Sequence, residues 1–174
     1  MIKLRETKGF TVVELLVVTA VAVILVLAAA PSFTQILDAQ QMRSVSERLA
    51  LNFKQTRLEA IRQNKEIYIH NLNMDSPNVG SWCVLVTESA GTPASCAVTQ
   101  VIRRLDGERF PRITAYTTVS ALRLDPARAI VGSGMSYVLK RQDMADDESV
   151  QVVISGKSRV TICAKGGVSG YEAC

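Results

Sequence analysis

Residues 8–30 read Lys8-Gly9-Phe10-Thr11-Val12-Val13-Glu14-Leu15-Leu16-Val17-Val18-Thr19-Ala20-Val21-Ala22-Val23-Ile24-Leu25-Val26-Leu27-Ala28-Ala29-Ala30. Of the 21 residues from Phe10 to Ala30, 18 are apolar; the exceptions are Thr11, Glu14 and Thr19. As a helix the block is about 31 Å long, the thickness of a bilayer core. Met1 to Gly9 carries Lys3, Arg5 and Lys8 against Glu6. A short cationic segment ahead of an apolar span keeps the N-terminus cytoplasmic and sends the rest of the chain outside. A cleaved secretory signal would have a shorter apolar region, and Pro31 directly follows the small residues Ala28–Ala30 that would make its cleavage site. A plain anchor leaves Glu14 unexplained. A carboxylate within an apolar span costs a few kcal/mol near its centre and less near its end, so it calls for a cationic partner.

The remainder fits one small domain. The chain has 174 residues, 48% hydrophobic and 21% charged, with a net charge of +4. That composition excludes wholesale disorder and does not by itself demand nucleic acid. Pro31 predicts a kink or a locally melted turn. Beyond it, 32–64 contains no Gly or Pro, and Ile36, Met42, Val45, Leu49 and Phe53 form an apolar stripe at helical spacing. From Glu66 the period becomes two. It predicts strands over Ile67–Leu72, Trp82–Thr87, Val98–Leu105, Ile113–Leu124, Ser136–Lys140, Val150–Ile154 and Arg159–Ala164. Breaks fall at Asp75-Ser76-Pro77-Asn78, Gly91-Thr92-Pro93, Asp106-Gly107, Asp125-Pro126 and Gly132-Ser133-Gly134. The expected class is α+β, a long N-terminal helix packed on a small antiparallel β domain.

The stretch Lys8 to Leu16 resembles the signature of type IV prepilins and the related pseudopilins. The resemblance implies that a membrane prepilin peptidase cuts between Gly9 and Phe10 and methylates the new amine of Phe10. It makes Glu14 the acidic residue at the fifth mature position. Physically, leader removal bares a cation at Phe10 and leaves an anion at Glu14. In a stack of subunits, Glu14 then meets a neighbour's amine inside an apolar bundle, a pair that sets register rather than supplying most of the cohesion. The helix end Leu51-Asn52-Phe53-Lys54-Gln55-Thr56-Arg57-Leu58-Glu59-Ala60-Ile61-Arg62-Gln63-Asn64, followed by Ile67-Tyr68-Ile69 and Trp82, is similar to the GspH/FimT family. It departs at Thr56 and Leu58, where smaller residues are commoner. The domain plan follows: leader 1–9, transmembrane and filament-core helix 10–30, amphipathic continuation 31–64, and a β domain 65–174.

These resemblances imply a minor type IV pilin in a pilus priming or tip complex, needed for pilus assembly and twitching motility. Its partners would be prepilin peptidase, other minor pilins and the major pilin. It would span the inner membrane once, with its C-terminal domain in the periplasm before assembly into an extracellular pilus. A minor pseudopilin of type II secretion is the alternative the leader does not separate. A third reading is DNA uptake. Gly156-Lys157-Ser158-Arg159 with nearby Lys165 resembles the Gly-Arg-x-Arg element of DNA-binding pilins, with Lys157 in place of the first Arg; an ordinary solvated turn is the competing reading. Lysine lacks the bidentate fork of arginine.

Cys83, Cys96, Cys163 and Cys174 make an even count in a segment placed outside the cytoplasm, which argues for disulfides. Three connectivities are open, and local pairing, Cys83 with Cys96 and Cys163 with Cys174, is the expected one. Each pair would close a loop of about a dozen residues and contribute about 3 kcal/mol. With no CxxC and His70 as the sole histidine, zinc is disfavoured. Asp146-Asp147-Glu148 lacks the alternating ligand spacing of a calcium loop. Arg103-Arg104 beside Asp106 and Glu108 reads as a mixed-charge hairpin. There is no phosphate loop and no nucleophile motif, so neither an enzyme nor a cofactor is expected.

Overall fold

The computed structural model describes residues 9–75, 80–127 and 134–174. Residues 1–8 of the expected leader, and Ser76-Pro77-Asn78 and Gly132-Ser133 of the expected breaks, lie outside the described residues. Backbone contacts divide the chain into two compact units, Met1–Gln40 and Gln41–Cys174. One helix, α1 (Val12–Gln63), contributes to both. Its helical backbone runs through position 31, so the local melting expected at Pro31 does not occur. The helix ends on Asn64 at φ +51. Asn64 N–H donates to Ile61 O and Lys65 N–H to Ala60 O, both at 3.2 Å. These two reversed bonds close a Schellman turn, with asparagine accepting the left-handed conformation that usually selects glycine.

Among the described residues the second unit contains eight strands: β1 (Ile67–Leu72), β2 (Cys83–Thr87), β3 (Arg103–Asp106), β4 (Ile113–Tyr116), β5 (Ala121–Leu124), β6 (Gly134–Arg141), β7 (Ser149–Ser155) and β8 (Val160–Lys165). They form two four-stranded sheets, ordered β3-β2-β1-β5 and β4-β6-β7-β8. All pairings are antiparallel. Ile67 and Ile69 of β1, Val84 and Val86 of β2 and Leu122 and Leu124 of β5 alternate into a core shared with Tyr137, Leu139, Val150, Val152 and Ile154 of the second sheet. Helix residues Met42, Val45, Leu49, Phe53 and Ala60 join the same core, as the stripe predicts. Ile36 does not: it is 52% exposed.

Two expected strands are corrected. The run Ile113–Leu124 is β4 and β5, which belong to different sheets. Between them Thr117 N–H donates to Met74 O and Asn71 N–H to Ser120 O, so the chain leaves one sheet for the other without a Gly or Pro to mark it. The run Val98–Leu105 forms a strand only from Arg103. Its first half belongs to a loop returning to the outer face of the first sheet, where Cys83 bonds Cys96 and Arg104 Nη1 donates to Cys96 O at 3.1 Å. That loop explains why every residue of β2 is buried, although Cys83, Leu85 and Thr87 point away from the core.

Candidate functional site: an exposed apolar helix end

Thr11 caps α1. Its Oγ1 accepts the Glu14 N–H at 3.2 Å, and its carbonyl accepts the Leu15 N–H at 3.2 Å. Thr11-Val12-Val13-Glu14 is thus an N-terminal Thr-x-x-Glu box, placing the Glu14 carboxylate in the first turn where the helix dipole favours an anion. Phe10 stands one residue before the cap. The signal for this cap, Thr followed three residues later by Glu ahead of an apolar run, is legible in the sequence. Thr19 Oγ1 donates to Leu16 O at 2.9 Å, so its hydroxyl is satisfied within the helix.

Among the described residues, no apolar side chain from Phe10 to Leu27 is covered within the chain. Phe10, Val12, Val13, Leu15, Leu16 and the large apolar residues onward to Leu27 are 50–82% exposed. Burying such side chains yields about 1.5–3 kcal/mol each when complete, and a contiguous apolar surface of this extent marks a membrane or protein contact. Among the described residues no ion-pair partner meets Glu14. Among the described residues no helix is long and apolar enough to cross a membrane; the apolar block read from the sequence continues through 28–30, whose side chains lie outside them.

The other expected site residues fall elsewhere. Cys83 pairs with Cys96 and Cys163 with Cys174, the local connectivity. The C-terminal bridge holds residues 172–174 against β8: Ala164 N–H donates to Glu172 O and Cys174 N–H to Ala164 O. Lys157 and Arg159 are exposed on the β7–β8 hairpin, whose tip turns through Ser158 at φ +63. Lys165 is not with them. It lies at the far end of β8, opposite Ser149, about 17 Å along the strand from the tip. The tip therefore offers two cations rather than three. His70 is buried and structural; its Nε2 lies 3.1 Å from both Thr87 Oγ1 and Ser89 O, tying the loop after β2 to β1. Arg104 pairs with Asp106 at 3.1 Å within the single strand β3, which runs into a one-turn helix at Gly107–Arg109 rather than forming the expected mixed-charge hairpin. Among the described residues no group of His, Cys, Asp or Glu could hold a metal ion.

Residues 45–167 match the family model of the type II transport protein GspH. No curated protein matches the chain in sequence. Two crystal structures of the type IV minor pilin FimU from Pseudomonas aeruginosa PAO1 share the fold. One gives a TM-score of 0.55 at 21% identity, covering 73% of this chain and 91% of that one; the other gives 0.54 at 19%, covering 70% and 91%. The minor pseudopilin EpsH of the Vibrio cholerae type 2 secretion system gives 0.50 at 9% identity, covering 72% and 98%.

Proposed function

The chain belongs to the GspH family, and from that premise we propose that it is a minor pilin of a type IV pilus, a structural subunit of a priming or tip complex. One observation carries the reading: the apolar side chains from Phe10 to Leu27 are exposed on a helix with a single acid, Glu14, in its first turn. In the proposal the segment 10–30 sits in the inner membrane until prepilin peptidase cuts at Gly9–Phe10 and methylates Phe10. It then moves into the filament core, trading lipid for the same segments of other minor pilins and the major pilin. The Phe10 amine lies just before the cap, at the positive end of the helix dipole, and is better placed against an anion than against its own helix. Glu14 of a neighbour supplies that anion.

Mass spectrometry of the N-terminus of protein from its native cell tests this. The expected species begins at N-methylated Phe10. A chain beginning at Met1 or Pro31 overturns the reading. A second reading, a minor pseudopilin of type II secretion, is favoured by the description of the matching family. The two disulfides support an external filament, where the Cys163–Cys174 bridge keeps residues 172–174 on β8. Recovery of the chain in sheared extracellular pili separates the two.

A further inference from the structure

The outer face of the first sheet carries a cleft that the filament reading does not use. Thr87–Ser89 at the end of β2 and Thr99–Ile102 ahead of β3 enclose about 430 Å³, within the size range of small-molecule sites. Strand register brings an aromatic ring to its edge. Tyr68 of β1 lies directly opposite Thr87 on one side and Arg123 of β5 on the other. Directly opposed side chains share a face at about 5 Å, so the half-buried ring borders the cleft. The ring is fixed in place. Its hydroxyl donates to Glu66 Oε2 at 2.7 Å, Arg123 Nη1 pairs with Glu66 Oε1 at 3.3 Å, and the ring stacks beside His70 at 6.2 Å. The walls are fixed as well. Thr87 Oγ1 donates to Ser89 O at 2.8 Å, and Ile102 N–H donates to Val86 O at 2.7 Å. Ring and walls are thus set without a ligand, which reduces the ordering cost of binding one.

The groups left free are neutral. Thr99 and Gln100 are exposed, and among the described residues their side chains bond to no other residue. A hydroxyl and an amide both donate and accept hydrogen bonds. Val101 and Ile102 add apolar surface beside them. The charges around the cleft cancel in pairs, Lys65 with Glu88 at 3.5 Å and Arg123 with Glu66. A polyanion finds no excess of cations there, and a wholly apolar ligand would cover the Thr99 and Gln100 groups without replacing their hydrogen bonds to water. We propose that the cleft binds a neutral saccharide. The C–H face of a pyranose lies on the Tyr68 ring, and its hydroxyls, donors and acceptors at once, bond to Thr99 and Gln100. This site stands whether or not the filament reading does.

The test is saturation-transfer NMR on the full chain in lauryldimethylamine oxide, a detergent without a sugar headgroup. The probes are methyl β-glucopyranoside, methyl β-galactopyranoside, the charged methyl β-glucuronide, and trialanine. A ligand of this size reaches a Kd of about 1 mM. The expected result is transfer to at least one of the two neutral hexosides and to neither of the other probes. Tyr68→Phe keeps the ring and should keep the binding. Gln100→Ala, at an exposed side chain without a partner, should weaken it about threefold. Tyr68→Ala should abolish it. Should Tyr68→Ala fail to fold, Gln100→Ala decides. Four results each overturn the site: no transfer to either hexoside from the folded parent at about 10 mM, affinity unchanged in Gln100→Ala, binding lost in Tyr68→Phe, or stronger transfer to the glucuronide or to trialanine.

Discussion

The Tyr137 hydroxyl donates to Asn71 Oδ1 at 2.9 Å, joining β6 of one sheet to β1 of the other across 66 residues of chain. The amide of Asn71 is spent as well: its Nδ2 donates to Val119 O at 2.8 Å, at the point where the chain passes from β4 to β5. One buried asparagine thus fixes both sheets and the crossover between them. Burial pushes the Tyr137 phenol well above its ordinary range, so at neutral pH it is a protonated donor.

Tyr137→Phe should therefore destabilise the protein without changing its fold. The variant leaves Asn71 Oδ1 buried with no donor, at a cost of about 1–3 kcal/mol, lowering Tm by about 3–10 °C. Thermal denaturation followed by circular dichroism in detergent checks it. An unchanged Tm would mean that water replaces the phenol, and that the inter-sheet tie is dispensable.

Gly107→Ala should be worse than its size suggests. Gly107 N–H donates to Trp82 O at 2.8 Å, and a Cβ at 107 would fall 2.6–2.7 Å from the indole ring. The ring has no room to yield. It stacks on Phe110 at 6.2 Å, and its Nε1 donates to Ile113 O at 3.1 Å. Overpacking of this kind costs about 1–3 kcal/mol, and the shift should appear in Trp82 fluorescence along with the Tm. A loss of stability with unaltered fluorescence would place the strain elsewhere.

What the sequence disclosed was governed by local period and what it withheld by distant pairing. Ile67–Leu72 is β1 to the residue, although its burial alternates only through Ile69 before His70 and Asn71 are buried together. Ile113–Leu124 alternates too, but Met74 and Asn71, some 40 residues earlier, take the backbone bonds that split it. Leu51 and Leu58 have the same apolar character as Leu49 and Phe53. Helical spacing puts Leu49 and Phe53 on the inward stripe and leaves Leu51 and Leu58 off it, but it also admits Ile36, which the structure leaves exposed. At the candidate site, Gly9, Phe10 and Glu14 stand out by pattern, whereas the role of Thr11 emerges from a hydrogen bond. Lys165 is close to Lys157 in sequence, and the strand between them keeps them apart.

Removing the Cys163–Cys174 staple should release the tail locally and lower the global stability. In Cys163→Ser/Cys174→Ser the constraint on an 11-residue separation is lost, worth about 3 kcal/mol through the unfolded state. Locally, Ala164 and Cys174 lose the bonds that pair the tail with β8. Their amides should exchange much faster, while those of β6 and β7 exchange only as fast as the lowered global stability dictates. Persistent protection of Ala164 would show that Tyr171 and its neighbours hold the tail unaided.

Acid should weaken the end of α1. Hydrogen bonds from Arg62 and then Gln63 lower the Glu59 carboxyl to about 2. A carboxyl whose folded value is depressed adds stability above its unfolded value of about 4.3. That contribution is lost as pH falls from there toward 2. Because the partners are solvated the effect is small. Glu59→Gln should therefore match the parent at pH 2 and fall slightly below it at pH 6, as read from the pH dependence of Tm. A constant offset across that range would assign Glu59 a packing role instead.

The two residues of the N-terminal box should fail differently. Thr11→Val removes the oxygen that accepts the Glu14 N–H, costing about 1 kcal/mol in the first helical turn. Amide exchange at residues 12–15 should quicken. Glu14→Gln keeps a side chain able to complete the box, so the helix start should be unchanged in the same measurement. What it removes is the charge. If Glu14 serves a neighbour's amine, Glu14→Gln should be processed normally yet be depleted from sheared filaments, with Thr11→Val depleted far less. If both variants are depleted alike and both fray, the acid acts only as a cap, and the pairing role is lost.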